Sequence, residues 1–161
     1  MKEKEIRSAL LLVLGVAGLS YAGRLFAGRI LRGSQVYRND SLGDGRFHST
    51  RHGHLHEGVD IRANSEPVYS PIDGIVERIA VPYPGDDRFS GVVLRDDQRE
   101  WKLFYVDPEV WPGQEIRRGQ RLGTSQDVRL KYGQAMQPHV HVEVRRNGQV
   151  EDPAQYLRIL A

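Results

Sequence analysis

The run from residue 139 to residue 145 constrains the fold of this chain more than any other stretch. It alternates polar and apolar side chains, and the turn sequence Asn147-Gly148 follows it. Alternation with a period of two predicts a β-strand with one buried face, and Asn-Gly is typical of a tight hairpin turn. His139 and His141 would project from the same face of that strand, about 7 Å apart along it.

Most of the remaining chain also reads as short apolar runs separated by turn residues. With 17 glycines and 8 prolines in 161 residues, the composition favours a turn-rich β protein of one domain. Residues 33–55 show no clear period and are predicted to be loop. We therefore predict an all-β fold, an antiparallel β-sheet domain with a short C-terminal helix at residues 153–160. The predicted strands lie at residues 59–61, 68–70, 74–81, 91–95, 101–106 and 139–145, and residues 116–123 are predicted to be a turn that enters a further strand.

Residues 1–32 form a separate N-terminal segment, and residues 33–161 form the domain. The segment contains an uncharged, largely apolar stretch at residues 8–23. This stretch favours an N-terminal membrane helix, although it is shorter than the roughly 20 residues that a spanning helix needs. Two alternatives remain open: a signal peptide, whose cleavage after Ala22 would release a secreted domain, and an interfacial helix that continues through Arg24, Arg29 and Arg32.

Charge and cysteine content limit the classes of partner and metal site. The chain carries 23 Lys and Arg against 21 Asp and Glu, for a net charge of +2. This balance argues against nucleic-acid binding, while a pI near 9.0 suits an anionic wall or membrane surface. The sequence has no cysteine, so a metal must be held by histidine and carboxylate side chains.

Four side chains form the candidate site: His56, Asp60, His139 and His141. Two histidines and an aspartate with an open fourth position are typical of catalytic zinc, and a third histidine would then serve as a base or stabilise an oxyanion. The plainer interpretation is that these histidines are solvated or satisfied by one hydrogen bond. Two further groups of residues have competing interpretations. The loop histidines could be rival ligands or solvated side chains, namely His48, His52 and His54. The aromatic side chains could line a sugar or peptide groove or pack in the core, namely Trp101, Tyr105 and Trp111.

At these residues the chain resembles the lysostaphin-type zinc metallopeptidases, which cleave peptide cross-links in bacterial cell walls. The likeness is carried by His56-Glu57-Gly58-Val59-Asp60 and by Pro138-His139-Val140-His141. Residues 67–74 and 116–123 add to it. The resemblance implies that His56, Asp60 and His141 bind Zn²⁺, that His139 is the catalytic histidine, and that peptidoglycan peptides are the partner.

One motif departs from that family. Its members carry a Tyr-x-His motif on a central strand, and here Tyr105-Val106-Asp107 corresponds, so Asp107 stands at the position of the accessory histidine. An ionised aspartate cannot donate a hydrogen bond to an oxyanion. The same departure occurs in the leukocyte cell-derived chemotaxin-like branch of the family, which this chain resembles in detail and which lacks peptidase activity.

The sequence therefore leaves two alternative functions open. The first is a membrane-anchored zinc metalloendopeptidase acting on peptidoglycan cross-links, with its domain on the periplasmic or extracytoplasmic side or on a phage virion. The second is a catalytically inactive zinc-binding module that binds cell-wall glycopeptide or a protein partner. The sequence leaves the oligomeric state open.

Overall fold

The computed structural model describes residues 27–51 and 53–160. Most of the predicted N-terminal membrane segment, together with its proposed cleavage site, lies outside these residues. Residues 27–32, which belong to that segment in the sequence analysis, lie in turns and bends. None of the helices in the described ranges is long and apolar enough to cross a membrane.

Antiparallel sheets dominate the described residues, as the sequence predicts. The strands are β1 Asn39–Asp40, β2 Gly43–Asp44, β3 Thr50–Arg51, β4 His54–Leu55, β5 Val59–Arg62, β6 Pro67–Tyr69, β7 Gly74–Ala80, β8 Gly91–Arg95, β9 Glu100–Phe104, β10 Val106–Pro108, β11 Glu115–Ile116, β12 Arg121–Ser125, β13 His139–Arg146 and β14 Gln149–Glu151. The largest sheet has seven strands in the order β11-β7-β8-β9-β13-β14, with β5 also paired to β13, and a second sheet has the order β10-β12-β6. Two short hairpins, β1-β2 and β3-β4, precede these sheets in the chain.

Strand β13 is the centre of the large sheet on which the candidate site lies. One of its edges pairs with β9, and its other edge pairs first with β5 and then with β14. Val140, Val142 and Val144 are fully buried on one face of β13, where they join the core. The alternate residues of the strand, including His139 and His141, therefore project from the opposite face.

The first described residues pack into the same core. Ile30 and Leu31 are buried, although the sequence analysis assigns them to the N-terminal segment. The buried Gln35 side chain joins this stretch to the other end of the domain. Its carbonyl oxygen accepts a hydrogen bond from the amide of Ile30 at 2.5 Å, and its amide nitrogen donates to the carbonyl of Arg158 at 2.8 Å. Residues 28–35 and 158–160 are thus held together.

Several elements differ from the sequence-based predictions. Residues 33–55, predicted to be loop, contain the two short hairpins β1-β2 and β3-β4, and β14 was not predicted. The expected strand at residues 101–106 breaks at Tyr105, whose φ of 63° is left-handed, and this break separates β9 from β10. The predicted C-terminal helix is wrong beyond one 3-10 turn, Pro153–Gln155, because the amides of Arg158 and Leu160 donate to the carbonyls of Gly28 and Gln35 instead. Helix α1, Arg129–Tyr132, was not predicted.

Candidate metal centre

The pairing of β5 with β13 places an aspartate beside a histidine. Asp60 lies directly opposite His141 in the antiparallel register, so their side chains share one face of the sheet. Val59 and Ile61 point the other way and are fully buried in the core. The hydrophobic alternation of β5 thus fixes which way Asp60 faces, because a shift of one residue would expose both apolar side chains.

His56 reaches the same point from the loop before β5. Its Nε2 lies 3.1 Å from Asp60 Oδ1 and 3.1 Å from His141 Nδ1. His141 Nδ1 lies 2.9 Å from the same aspartate oxygen. The ligand atoms of these three residues all fall within 4.8 Å of one another, an arrangement that could hold a metal ion.

The outer ring nitrogens are engaged in a way that suits metal binding. His56 Nδ1 lies 2.9 Å from the carbonyl oxygen of Arg46, and His141 Nε2 lies 3.4 Å from Glu143 Oε1. Each of these acceptors can keep a proton on the outer nitrogen, so the inner nitrogen can give up its own proton and offer its lone pair to a metal ion. Two imidazole lone pairs and a carboxylate oxygen then face one point, and this donor set fits a divalent metal ion.

His139 lies beside this group but outside it. Its Nε2 is 3.7 Å from Asp60 Oδ1, and its Nδ1 is 2.8 Å from the carbonyl oxygen of Gln137. The carbonyl oxygen holds the proton on Nδ1, so Nε2 is left as an acceptor on the cavity side. The ring is 4% exposed, and its orientation is therefore fixed by packing as well as by this hydrogen bond.

Two arginines hold the other oxygen of Asp60. Arg38 Nε and Arg51 Nη2 each donate to Asp60 Oδ2 at 3.0 Å. Arg38 is almost completely buried and also donates to both oxygens of Asp40, at 2.8 and 2.9 Å. Asp60 therefore presents only Oδ1 to the histidines. Neither arginine was predicted to belong to the site, because residues 33–55 carry no periodic pattern that would place Arg38 and Arg51 beside β5.

The charges of the buried groups follow from these contacts. Burial alone would raise the pKa of Asp60, but hydrogen bonds from His141 and His56 hold that pKa well below its ordinary value. Burial alone would lower the pKa of His141, but its hydrogen bonds to Asp60 and Glu143 raise the pKa to about 9. Burial lowers the pKa of His139. Asp60 is accordingly an anion at neutral pH.

Gly58 permits the close approach of the loop to β13. A Cβ atom there would collide with the backbone carbonyl oxygen of Val142 and would also press on the His141 ring. The requirement is one of space, because its backbone does not have a positive φ. Packing against β13 therefore accounts for a glycine at this position.

The face that carries His56, Asp60 and His141 opens into a cavity of about 340 Å³. Tyr105 lines its wall, and the Tyr105 ring stands at 89° to the His139 ring with their centroids 5.2 Å apart. Asp107, which the sequence places at the accessory position, is exposed on β10 opposite Thr124 and does not line the cavity. The break at Tyr105 therefore brings a tyrosine, rather than an aspartate, beside His139.

The other histidines and aromatic residues considered in the sequence analysis lie outside the His-Asp-His group. His54 lines the cavity but is exposed and is not among the three converging ligands, and His48 stacks on Phe47 away from the cavity. His52 lies outside the described residues. Of the aromatic candidates, Trp101 is core and Trp111 is 64% exposed. The cavity is completed by residues that the sequence analysis did not single out for it, namely Arg38, Leu42, Arg51, Tyr132 and Met136.

This fold and site define a class of protein. It is an antiparallel β domain in which β13, the neighbouring strand β5 and the loop before β5 bring together a His-Asp-His group that could hold a metal ion. Residues 54–153 match peptidase family M23. The chain is also 31% identical to leukocyte cell-derived chemotaxin-2 of Bos taurus over 126 residues, which cover 77% of this chain and 80% of that protein. The chain belongs to peptidase family M23.

A second relative and two solved structures agree with this assignment. An uncharacterized metalloprotease of Haemophilus influenzae is 33% identical over 102 residues, which cover 61% of this chain but only 20% of that protein. A mutant catalytic domain of the prophage-encoded M23 protein EnpA from Enterococcus faecalis gives a TM-score of 0.55 at 24% identity, covering 81% of this chain and 97% of that one. Lysostaphin gives 0.54 at 24% identity, covering 73% and 49%. These structural likenesses show the fold.

Proposed function

We propose that this protein is a zinc metalloendopeptidase that cleaves peptide cross-links of peptidoglycan. His56, Asp60 and His141 would hold Zn²⁺, and His139 would act as the general base. The observation that carries the proposal is the convergence of His56 Nε2, Asp60 Oδ1 and His141 Nδ1 beside a separate imidazole that faces the same cavity. Membership of family M23 and the resemblance to lysostaphin-type enzymes support the substrate class.

The residues around the site would have separate roles in hydrolysis. When bound, zinc would polarise the scissile carbonyl and make a water molecule more acidic. His139 Nε2 would accept a proton from the attacking water and later return it to the departing amine. The Nδ1–H of His139, held by the Gln137 carbonyl at 2.8 Å, keeps the ring in the tautomer that this step needs. Arg38 and Arg51 fix the rotation of the Asp60 carboxylate, so that Oδ1 remains turned towards the histidines.

The test is the release of soluble fragments from purified peptidoglycan by the full-length, zinc-loaded protein. Wild-type protein should release fragments, and His139→Ala should abolish release while one zinc per chain is still bound. The matched control is His54→Ala, which removes an imidazole from the same cavity but outside the ligand group, and it should retain activity. No release from walls of several cross-link types would refute the peptidase function.

A second candidate is a zinc-binding module without catalysis. The observation that favours it is the accessory position, where Asp107 is turned away from the cavity and Tyr105 lies beside His139. Chemotaxin-2 is a relative of this chain, and a similar fold occurs in the SpoIIQ–SpoIIIAH pore-forming complex, with a TM-score of 0.53, so the fold is also found within a protein assembly. Zinc bound at one per chain, together with saturable binding to intact walls and no release, would support this function.

We also propose that residues 1–32 carry the domain to its substrate. The apolar stretch at residues 8–23 would act as a membrane anchor, with the domain on the extracytoplasmic side, where peptidoglycan lies. Fractionation separates the alternatives, because an anchored chain stays with membranes after a salt wash and a cleaved chain is released. A truncation for such work should retain residues 27–32, since Ile30 and Leu31 belong to the core.

A further inference from the structure

Tyr105 has a backbone conformation that a bulky residue seldom adopts. Its φ of 63° lies in the left-handed region, where a residue with a side chain is strained. The strain is held by two backbone hydrogen bonds, from its amide to the carbonyl of Ser90 and from the amide of Gln126 to its carbonyl, each at 2.8 Å. Because of this conformation, the strand ends at Phe104 and the Tyr105 ring lies against His139.

The hydroxyl group of Tyr105 ends a chain of three phenols. Tyr105 Oη lies 2.5 Å from Tyr83 Oη, which lies 2.6 Å from Tyr132 Oη. Three hydroxyl protons serve two hydrogen bonds within the chain, so one proton is left over on the hydroxyl that does not donate to another phenol. When Tyr132 donates to Tyr83 and Tyr83 donates to Tyr105, the free proton belongs to Tyr105, which lines the cavity beside His139.

The surroundings of this tyrosine chain keep it in place. The Tyr83 and Tyr105 rings both pack edge-on against the buried Phe89, with centroid distances of 5.8 and 6.2 Å. The Lys131 ammonium lies 4.1 Å from the centroid of the Tyr83 ring. Tyr132 is 42% exposed and can exchange hydrogen bonds with water at the outer end of the chain. The inner hydroxyl is therefore fixed, while the outer one remains in contact with solvent.

We propose that Tyr105 donates its hydroxyl hydrogen bond to the oxyanion that forms from the scissile carbonyl of the bound peptide, with Tyr83 and Tyr132 as positioning residues. This inference rests on the proposed function, since it concerns the same cavity. The proton stays on Tyr105 throughout, and no bond to this residue forms or breaks. A fixed phenol supplies the donor that Asp107 cannot supply, because Asp107 faces away from the cavity.

The first test compares peptidoglycan release by full-length wild-type protein and by Tyr105→Phe. Loss of one oxyanion donor should lower kcat by about 100-fold. KM, zinc content and melting temperature should stay close to wild type, because the ring and its contacts remain. The matched control is Tyr156→Phe, which removes a hydroxyl bonded to Glu151 at 2.9 Å outside the cavity, and it should keep full activity. Tyr83→Phe should lower kcat by about 10-fold, since Tyr105 then loses its partner.

The second test does not depend on turnover. A phosphinic analogue of an alanyl-alanine dipeptide carries a tetrahedral anion, and calorimetry can measure its affinity for the zinc-loaded protein. Its affinity should fall about 10-fold in Tyr105→Phe, the scale of one hydrogen bond to a charged group, and remain unchanged in Tyr156→Phe.

The outcomes separate the two proposals. If the protein releases no wall fragments but its phosphinate binding weakens in Tyr105→Phe, the peptidase function is refuted. The role of Tyr105 as a hydrogen-bond donor is then still supported. Equal phosphinate affinity and equal kcat in wild type and Tyr105→Phe would overturn the donor role of Tyr105, whether or not the wild-type protein releases peptidoglycan fragments. Failure of the wild-type, zinc-loaded protein to bind the phosphinate would overturn it as well.

Discussion

The two sides of the cavity are built by different means. The imidazole and carboxylate side rests on regular pairing of β5 with β13, where Asp60 opposes His141 and every second residue is buried in the core. The tyrosine side rests on an interruption, the left-handed residue Tyr105 between β9 and β10. The regular side places its donors rigidly and tolerates little change. On the irregular side, single hydroxyl groups can be removed without disturbing the sheet.

The largest effect should come from Asp60→Ala on the regular side. This change leaves the guanidinium groups of Arg38 and Arg51 without their shared partner. Removing one member of a buried ion pair costs about 3–5 kcal/mol of unfolding free energy. Urea unfolding would measure the loss, and metal titration should show that stoichiometric binding disappears. A variant as stable as wild type would show that the arginines find other partners.

A smaller loss is expected from Gly58→Ala. The new methyl group meets the carbonyl oxygen of Val142, a backbone atom that can move only if β13 moves. Overpacking of this kind costs about 1–3 kcal/mol. Gly33→Ala is the matched control, because its Cβ would meet nothing within 4 Å and its φ is not positive, so its melting curve should overlay wild type. Equal melting temperatures for both variants would contradict the packing requirement at Gly58.

Glu143→Gln should weaken the metal site while leaving the fold intact. The Glu143 carboxylate lies 3.4 Å from His141 Nε2 and is also bonded to Lys102 at 2.8 Å. Loss of a carboxylate that orients a ligating histidine typically lowers metal affinity by about 10- to 100-fold. Competition with a chromophoric chelator would measure the affinity. Glu100→Gln, which removes a carboxylate 3.8 Å from the same lysine but is not a partner of His141, should bind metal as wild type does.

The smallest effect should come from Asp107→His, which restores the family histidine at the position that the Tyr-x-His motif indicates. Asp107 is exposed on β10 and faces away from the cavity, so the new imidazole cannot reach the substrate. Stability should change by less than about 0.5 kcal/mol, and the rate of wall release should not rise. A gain in rate would mean that β10 shifts by a residue and brings position 107 into the cavity.

The regular side could be predicted from the sequence because period-two patterns report directly which residues share a face. The alternation in β13 predicted that His139 and His141 project together, and both line the cavity. The antiparallel sheet class and most strand positions were also confirmed. Pattern alone left open which imidazoles would converge. The pairing of Asp60 with His141 depends on strand register, and only the family resemblance pointed to it.

The irregular side could not be predicted because it depends on one backbone angle. In a continuous strand over residues 101–106, Tyr105 would follow Trp101 and Leu103 onto the core face. The positive φ at Tyr105 changes that direction, and no residue type in the run signals it, since glycine and asparagine are the residues expected there. The same limit applies to Arg38 and Arg51, which lie in a stretch without periodicity and meet Asp60 only through tertiary contacts.

The two guanidinium groups on Asp60 have a consequence for ion selectivity. Together with Asp40, they leave the surroundings of the histidines without excess negative charge, so a hard cation gains little from long-range attraction. Mg²⁺ and Ca²⁺ bind chiefly through several oxygen ligands, whereas this group offers two nitrogens and one oxygen. Selection would therefore fall to the imidazole lone pairs, which favour ions of the later first-row series over the alkaline-earth ions.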